Sequence, residues 1–125
     1  MNVKIDTKEK LQVISPQDAV LSADMTAQLS ELLQSLQNNK PNNLVFNCAA
    51  VKEMSVPVAE TIMNAQQQYY EKNISFVVCE LKPAIEELLD QNGFLELMNI
   101  TPTESEACDI VQMEEIEREF MDSHE

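Results

Sequence analysis

The alternation of two hydrophobic periods along the chain constrains its fold more than any other feature. Val3 and Ile5, then Leu11 and Val13, alternate with polar residues on either side of Lys8-Glu9-Lys10, the pattern of two strands joined by a turn. From Ser22 the period becomes helical: Met25, Leu29, Leu32, Leu33 and Leu36 recur at three and four until Asn38-Asn39-Lys40-Pro41 stops the stretch. Leu44-Val45-Phe46-Asn47-Cys48 is a short apolar run between polar turns and reads as a buried strand. A second helix begins near Ser55, with Pro57 tolerated in its first turn and Val58, Ile62, Ala65 and Tyr69 along its stripe. Ile74 to Cys79, continuous at Phe76-Val77-Val78, reads as a central strand covered on both faces.

A short third helix starts at Pro83, carries Ile85, Leu88 and Leu89, and ends at Gly93, where a left-handed residue frees amides for the last carbonyls and Phe94 packs back. Leu95 to Ile100 reads as an outer strand, with Leu95 and Leu97 on one side and Met98 and Ile100 on the other. Thr103-Glu104-Ser105-Glu106 forms a capping box after Pro102 and opens a last helix. Ala107, Ile110, Val111, Met113, Ile116 and Phe120 are its apolar positions, and its acids are expected to face water. Strands alternating with helices after an opening hairpin imply right-handed crossovers. The expected fold class is α/β: one domain over residues 1–120, a mixed sheet of about five strands with a parallel centre and about four flanking helices, then a frayed acidic tail over 121–125. In such sheets sites form at the carboxyl ends of strands, here the loops after Ile14, Cys48 and Cys79.

Composition removes whole classes of function. Among 125 residues there is a single glycine, Gly93. A phosphate loop of the Walker type or a dinucleotide fingerprint needs two or three glycines within a few residues, so neither exists here. Net charge is −14, of which residues 63–125 carry −12 and the last 23 residues hold nine acids against Arg118. Such a surface repels nucleic acid and anionic membrane and favours a basic protein surface. Cys48, Cys79 and Cys108 lie about thirty residues apart, outside disulfide, zinc or redox spacing, and read as reduced thiols of a cytoplasmic protein. No apolar run reaches the ~18 residues of a membrane span, so direct membrane insertion is not expected.

The only histidine is His124 at the chain end, so a triad of nucleophile, imidazole and acid is not expected, and neither is enzymatic activity, a metal site or a cofactor. Glu114-Glu115-x-Glu117-x-Glu119 reads as a solvated face, and Cys48 and Cys79 as buried apolar residues. Met25, Met63, Met98 and Met113 are assigned to core positions. Ser55 stands apart: at the mouth of a helix, where amides converge, it is either a capping residue or a place where a phosphate would be held.

The stretch Phe76-Val77-Val78-Cys79-Glu80-Leu81-Lys82-Pro83-Ala84-Ile85-Glu86-Glu87-Leu88-Leu89-Asp90-Gln91-Asn92-Gly93-Phe94 resembles the second half of STAS domains, the anti-sigma factor antagonist family. The resemblance implies a non-catalytic switch module that binds a kinase-like anti-sigma factor, is turned off by phosphorylation in an Asp-Ser-Ser/Thr-Gly motif and is restored by a PP2C-type phosphatase. The matching positions here are Ser55, Val56, Pro57 and Val58, so the acceptor is a proline without a hydroxyl. The family's Leu-Asp pair before the first helix matches Leu21-Ser22. The resemblance therefore places a partner interface at Ser22, Asp24, Ser55, Val56, Pro57 and Val58, with Ser55 as the candidate phosphorylation site. The alternative is a STAS-like accessory subunit of an ABC-type lipid transport system that binds its ATPase; neighbouring permease and ATPase genes would favour it, and a neighbouring kinase-like ATPase or phosphatase gene would favour the first.

Overall fold

A computed structural model describes residues 1–123 of the chain. In chain order the elements are β1 (Val3–Thr7), β2 (Gln12–Pro16), β3 (Val20–Leu21), α1 (Thr26–Leu36), β4 (Leu44–Asn47), β5 (Glu53–Met54), α2 (Val56–Glu71), β6 (Phe76–Cys79), α3 (Pro83–Gln91), β7 (Ile100–Thr101) and α4 (Glu104–Ser123). The main sheet has the order β1-β2-β4-β6-β7. The β1–β2 hairpin is antiparallel, and β2, β4, β6 and β7 run parallel to one another. The parallel centre follows from the helical crossovers between successive strands, as the alternation of periods requires. The frayed tail expected over 121–125 falls partly on His124 and Glu125, which lie outside the described residues.

Successive side chains of a strand point to opposite faces, so the sheet has two cores. On one face Ile14, Leu44, Phe46, Phe76 and Val78 meet Leu29, Leu33 and Leu36 of α1, Val58, Ile62 and Tyr69 of α2, and Ile85 and Leu89 of α3. Aromatic packing centres it: Phe76 stacks on Phe46 at 6.4 Å and meets the edge of Tyr69 at 5.0 Å. The Tyr69 hydroxyl, which burial would otherwise leave unsatisfied, donates to the Leu33 carbonyl at 2.6 Å. The other face is smaller: Leu11, Val13, Val45, Val77 and Cys79 meet Ala107 and Val111 of α4, with Cys108 and Ile110 alongside.

Polar contacts do much of the work of holding α4. Asn43, Ser75 and Asn99 each sit at the amino end of a parallel strand. Glu114 Oε1 accepts from Ser75 Oγ at 2.6 Å and from the Tyr70 hydroxyl at 2.9 Å, and Asn99 Nδ2 donates to that same hydroxyl oxygen at 2.9 Å. Arg118 Nη2 donates to Asn43 Oδ1, Ser75 Oγ and Glu115 Oε2 at 3.0–3.1 Å. The register of the helix is thus fixed by side chains that can bond in only one rotation about its axis.

Two expectations from sequence are corrected by this arrangement. Met113, Ile116 and Phe120 are not core residues: they are 61%, 64% and 58% exposed. Glu114 and Glu115, expected on the solvent side, face the strand ends, so rotating the apolar stripe inward would break the bonds just described. Leu95 to Ile100 is not one strand either. A 3-10 turn spans Leu95–Leu97, and pairing starts only at Ile100. The buried Gln66 of α2 explains this: its amide donates to the Leu97 carbonyl at 3.1 Å and accepts from the Asn99 amide at 2.7 Å, taking the backbone groups that a strand would give to a neighbour.

The helix stop at Gly93 forms as its position implies. Its φ is +73°, Gly93 N donates to the Asp90 carbonyl at 3.1 Å, and Phe94 N donates to Leu89 at 2.8 Å. A methyl group at Gly93 would meet no atom within 4 Å, so the backbone angle alone calls for glycine.

Candidate functional site

At the carboxyl end of the sheet, two short strands that periodicity did not reveal bring the two serine loops together. β3 and β5 pair in parallel, Val20 with Glu53 and Leu21 with Met54, as a separate two-stranded sheet. The Ser55 amide extends the pairing by donating to the Leu21 carbonyl at 2.9 Å. Ala19 O accepts from the Lys52 and Glu53 amides at 2.7 and 3.0 Å. Ser22 and Ser55 therefore leave adjacent strands side by side, each at the start of a helical segment. Two residues per strand are too few to show alternation, so the sequence carries no signal for this element.

Each named position has a distinct setting. Ser22 is half-buried, and its hydroxyl donates to the carboxylate of the exposed Asp24 within the turn that leads into α1. Ser55 is extended, with φ −78° and ψ 156°, and its hydroxyl oxygen accepts from Val58 N at 3.4 Å, a long cap bond. Val56 is half-buried and Pro57 is exposed at the first turn of α2. Val58 is 0% exposed. It anchors the helix in the core and offers no side-chain surface to a partner. Of the six expected interface residues, Ser22, Asp24, Ser55, Val56 and Pro57 thus keep exposed or half-buried positions, with Val58 beneath them.

The neighbouring loops complete the platform. After β4, Lys82 Nζ reaches across from the β6 loop to donate to the Ala49 carbonyl at 2.5 Å. After β6, Glu80 has φ +59°, a left-handed conformation that costs a non-glycine residue about 1–2 kcal/mol. Its carboxylate accepts from the Glu104 amide at 2.9 Å, bonding one of the amides that the first turn of α4 leaves open. Beside Ser55, a groove of about 290 Å³ runs between β5 and α3, lined by Lys52, Glu53, Met54, Ala84, Ile85 and Leu88.

Burial pushes the Cys48 and Cys79 thiols up, Cys79 to about 12 with the Glu80 carboxylate adding to the effect, so neither supplies a thiolate at neutral pH. Among the described residues no group of three or more His, Cys, Asp or Glu is placed to hold a metal ion. No described helix is long and apolar enough to cross a membrane. What the site does offer is a pair of hydroxyls, an exposed proline and a helix N-terminus with its positive end outward.

Comparison with known proteins bears on the family and the fold. The family model described as STAS domain matches residues 2–107. A comparison with curated protein sequences finds no match. Solved structures share the fold: an anti-sigma factor antagonist (STAS) domain protein from Planctomyces limnophilus has TM-score 0.72 at 17% identity, covering 88% of this chain and 97% of that one. An anti-sigma factor antagonist from Mycobacterium paratuberculosis has TM-score 0.75 at 18% identity, covering 89% and 93%. The Bacillus cell fate determinant SpoIIAA, solved in its phosphorylated form, has TM-score 0.64 at 13% identity, covering 88% and 99%. At these identities the likeness shows the fold.

Proposed function

The chain belongs to the STAS domain family, and from that premise we propose that it is a non-catalytic regulatory module that binds a kinase-like anti-sigma factor through the Ser22–Ser55 surface. The β3–β5 pairing carries this reading, because it sets two loops into one surface around an exposed proline. Pro57 stands at the position matching the family's phospho-acceptor and has no hydroxyl, so the usual phosphorylation cannot switch binding off at this position. Ser55, two residues earlier, is the remaining acceptor. A phosphate on it would sit at the N-terminus of α2, within reach of the helix dipole, and add about −1.5 to −2 charge beside Asp24 and Glu53.

Binding experiments on the immobilised chain test the reading. Wild type and Ser55→Ala are expected to retain an ATP-binding partner from the source cytosol, and Ser55→Asp to lose at least tenfold in affinity. Incubation of the recovered partner with ATP is expected to label Ser55 alone in phosphopeptide maps. Equal retention by all three proteins, with label elsewhere or none, overturns the assignment. Retention of the ATPase of a lipid transporter in place of a kinase-like protein would select the accessory-subunit alternative.

A further inference from the structure

The outer face of α4 is apolar where a surface helix is ordinarily polar. Met113 and Ile116 are 61% and 64% exposed, and Phe120, 58% exposed, continues the line at a spacing of three and four. Residues at that spacing share one face of a helix, here the face turned away from Ala107 and Val111. The helix has no freedom to bury them by rolling, because Glu114, Glu115 and Arg118 lock it to Asn43, Ser75 and Tyr70. The family match ends at residue 107, so this stripe lies on a stretch that family membership does not describe. Contiguous exposed apolar residues rimmed by polar ones mark interaction surfaces.

Charge selects the occupant. Over Glu104–Ser123 there are eight acids and one base, Arg118, which is bound inward. Glu106, Asp109 and Glu117 are exposed around the stripe. Beside Ile116 a depression of about 260 Å³ is bordered by Glu9, Glu115 and Glu119, the last paired with Lys10 at 3.3 Å. A second copy of the chain would set one acidic helix against another, and an anionic lipid surface would be repelled likewise. An amphipathic helix whose apolar stripe is flanked by Lys and Arg satisfies both features at once: its apolar side chains cover Met113 and Ile116 and its cations meet the acidic rim.

We propose that the outer face of α4 is a second docking surface, taking a basic amphipathic helix of another protein independently of the Ser22–Ser55 surface. The two surfaces belong to opposite layers: Ser55 opens α2 on the large-core side, and α4 alone covers the other side. One partner can therefore be held while the other is exchanged, which makes the chain a connector.

Backbone amide NMR of the full chain, titrated with synthetic helical peptides, tests this. The first peptide carries a leucine stripe flanked by lysines; the second has the same composition in shuffled order; the third has glutamate in place of lysine. Expected are shifts confined to residues 106–121 with the first peptide, binding at least tenfold weaker for the other two, and weakening with added salt. The double variant Met113→Ser, Ile116→Ser is expected to lose at least tenfold in affinity with an unchanged fold, and Ser55→Asp to bind as wild type. Equal binding of the shuffled peptide, which charge alone would give, overturns the proposal, as do shifts centred on Ser22 and Ser55. So does a dimer in sedimentation that Ile116→Ser splits, since the occupant would then be a second copy.

Discussion

The two faces of the sheet are packed by different means. The face under α1, α2 and α3 is closed by large interlocking side chains, with Phe46, Phe76 and Tyr69 fully buried. The face under α4 is closed by Ala107 and Val111, and the helix is held in place at the strand ends by Glu114, Glu115 and Arg118. A core held by dispersion and apolar burial is insensitive to pH and uniform in its resistance. A helix held by a charged network is set precisely in angle but can detach while the rest of the domain stays folded.

The largest expected effect separates the faces by cost. Phe76→Ala removes the ring between Phe46 and Tyr69 and is expected to cost about 3–5 kcal/mol in urea unfolding. Arg118→Ala removes three hydrogen bonds on the other face and is expected to cost about 1–2 kcal/mol, kept low because 27% of its side chain is exposed. The two central cysteines distinguish local from global opening. Cys48 lies in the large core and Cys79 beneath α4. Arg118→Ala is therefore expected to speed thiol labelling of Cys79 and leave Cys48 unchanged; equal acceleration of both would mean that the layers open together.

A smaller effect follows from pH. The Glu115 carboxyl lies below its ordinary value of 4.5, first through the Asn43 amide and then through Arg118, with burial opposing. A depressed carboxylate contributes stability that is complete above the unfolded value and is lost as pH falls through the folded one. Amide protection in α4 is thus expected to decline below about pH 4.5, and Glu115→Gln to flatten that decline. The smallest effect is the most direct check on the α4 rotation. Ile116→Ser is expected to change stability by no more than about 0.5 kcal/mol, because the residue is on the surface. A loss of 2 kcal/mol, of the order measured for buried apolar residues, would place it in the core.

The same contrast decides what the sequence made legible. Helix starts and stops rest on local rules, so Pro83, Gly93 and the Thr103 cap were readable; Thr103 Oγ1 does accept from Glu106 N at 3.2 Å. The parallel centre followed from the continuous run at Phe76 and the crossovers. The facing of α4 was not readable, because periodicity gives two opposed faces and the choice depended on Asn43 and Ser75, each more than 35 residues away. Gln66 taking the backbone of Leu97 and Asn99 is likewise a contact across some thirty residues. Of the site, the helix mouth at Ser55 was legible from Ser-x-Pro, whereas its contact with the Ser22 loop needed β3 and β5.

That miniature sheet separates a surface's shape from its chemistry. The Val20–Leu21 and Glu53–Met54 backbones hold the two loops together through amides and carbonyls that every non-proline residue carries. Side chains just beyond them at Ser22, Ser55, Val56 and Pro57 contribute nothing to that clasp, although Ser55 also caps α2. The shape of this surface is therefore set by backbone pairing, and its chemistry by the side chains that the pairing carries.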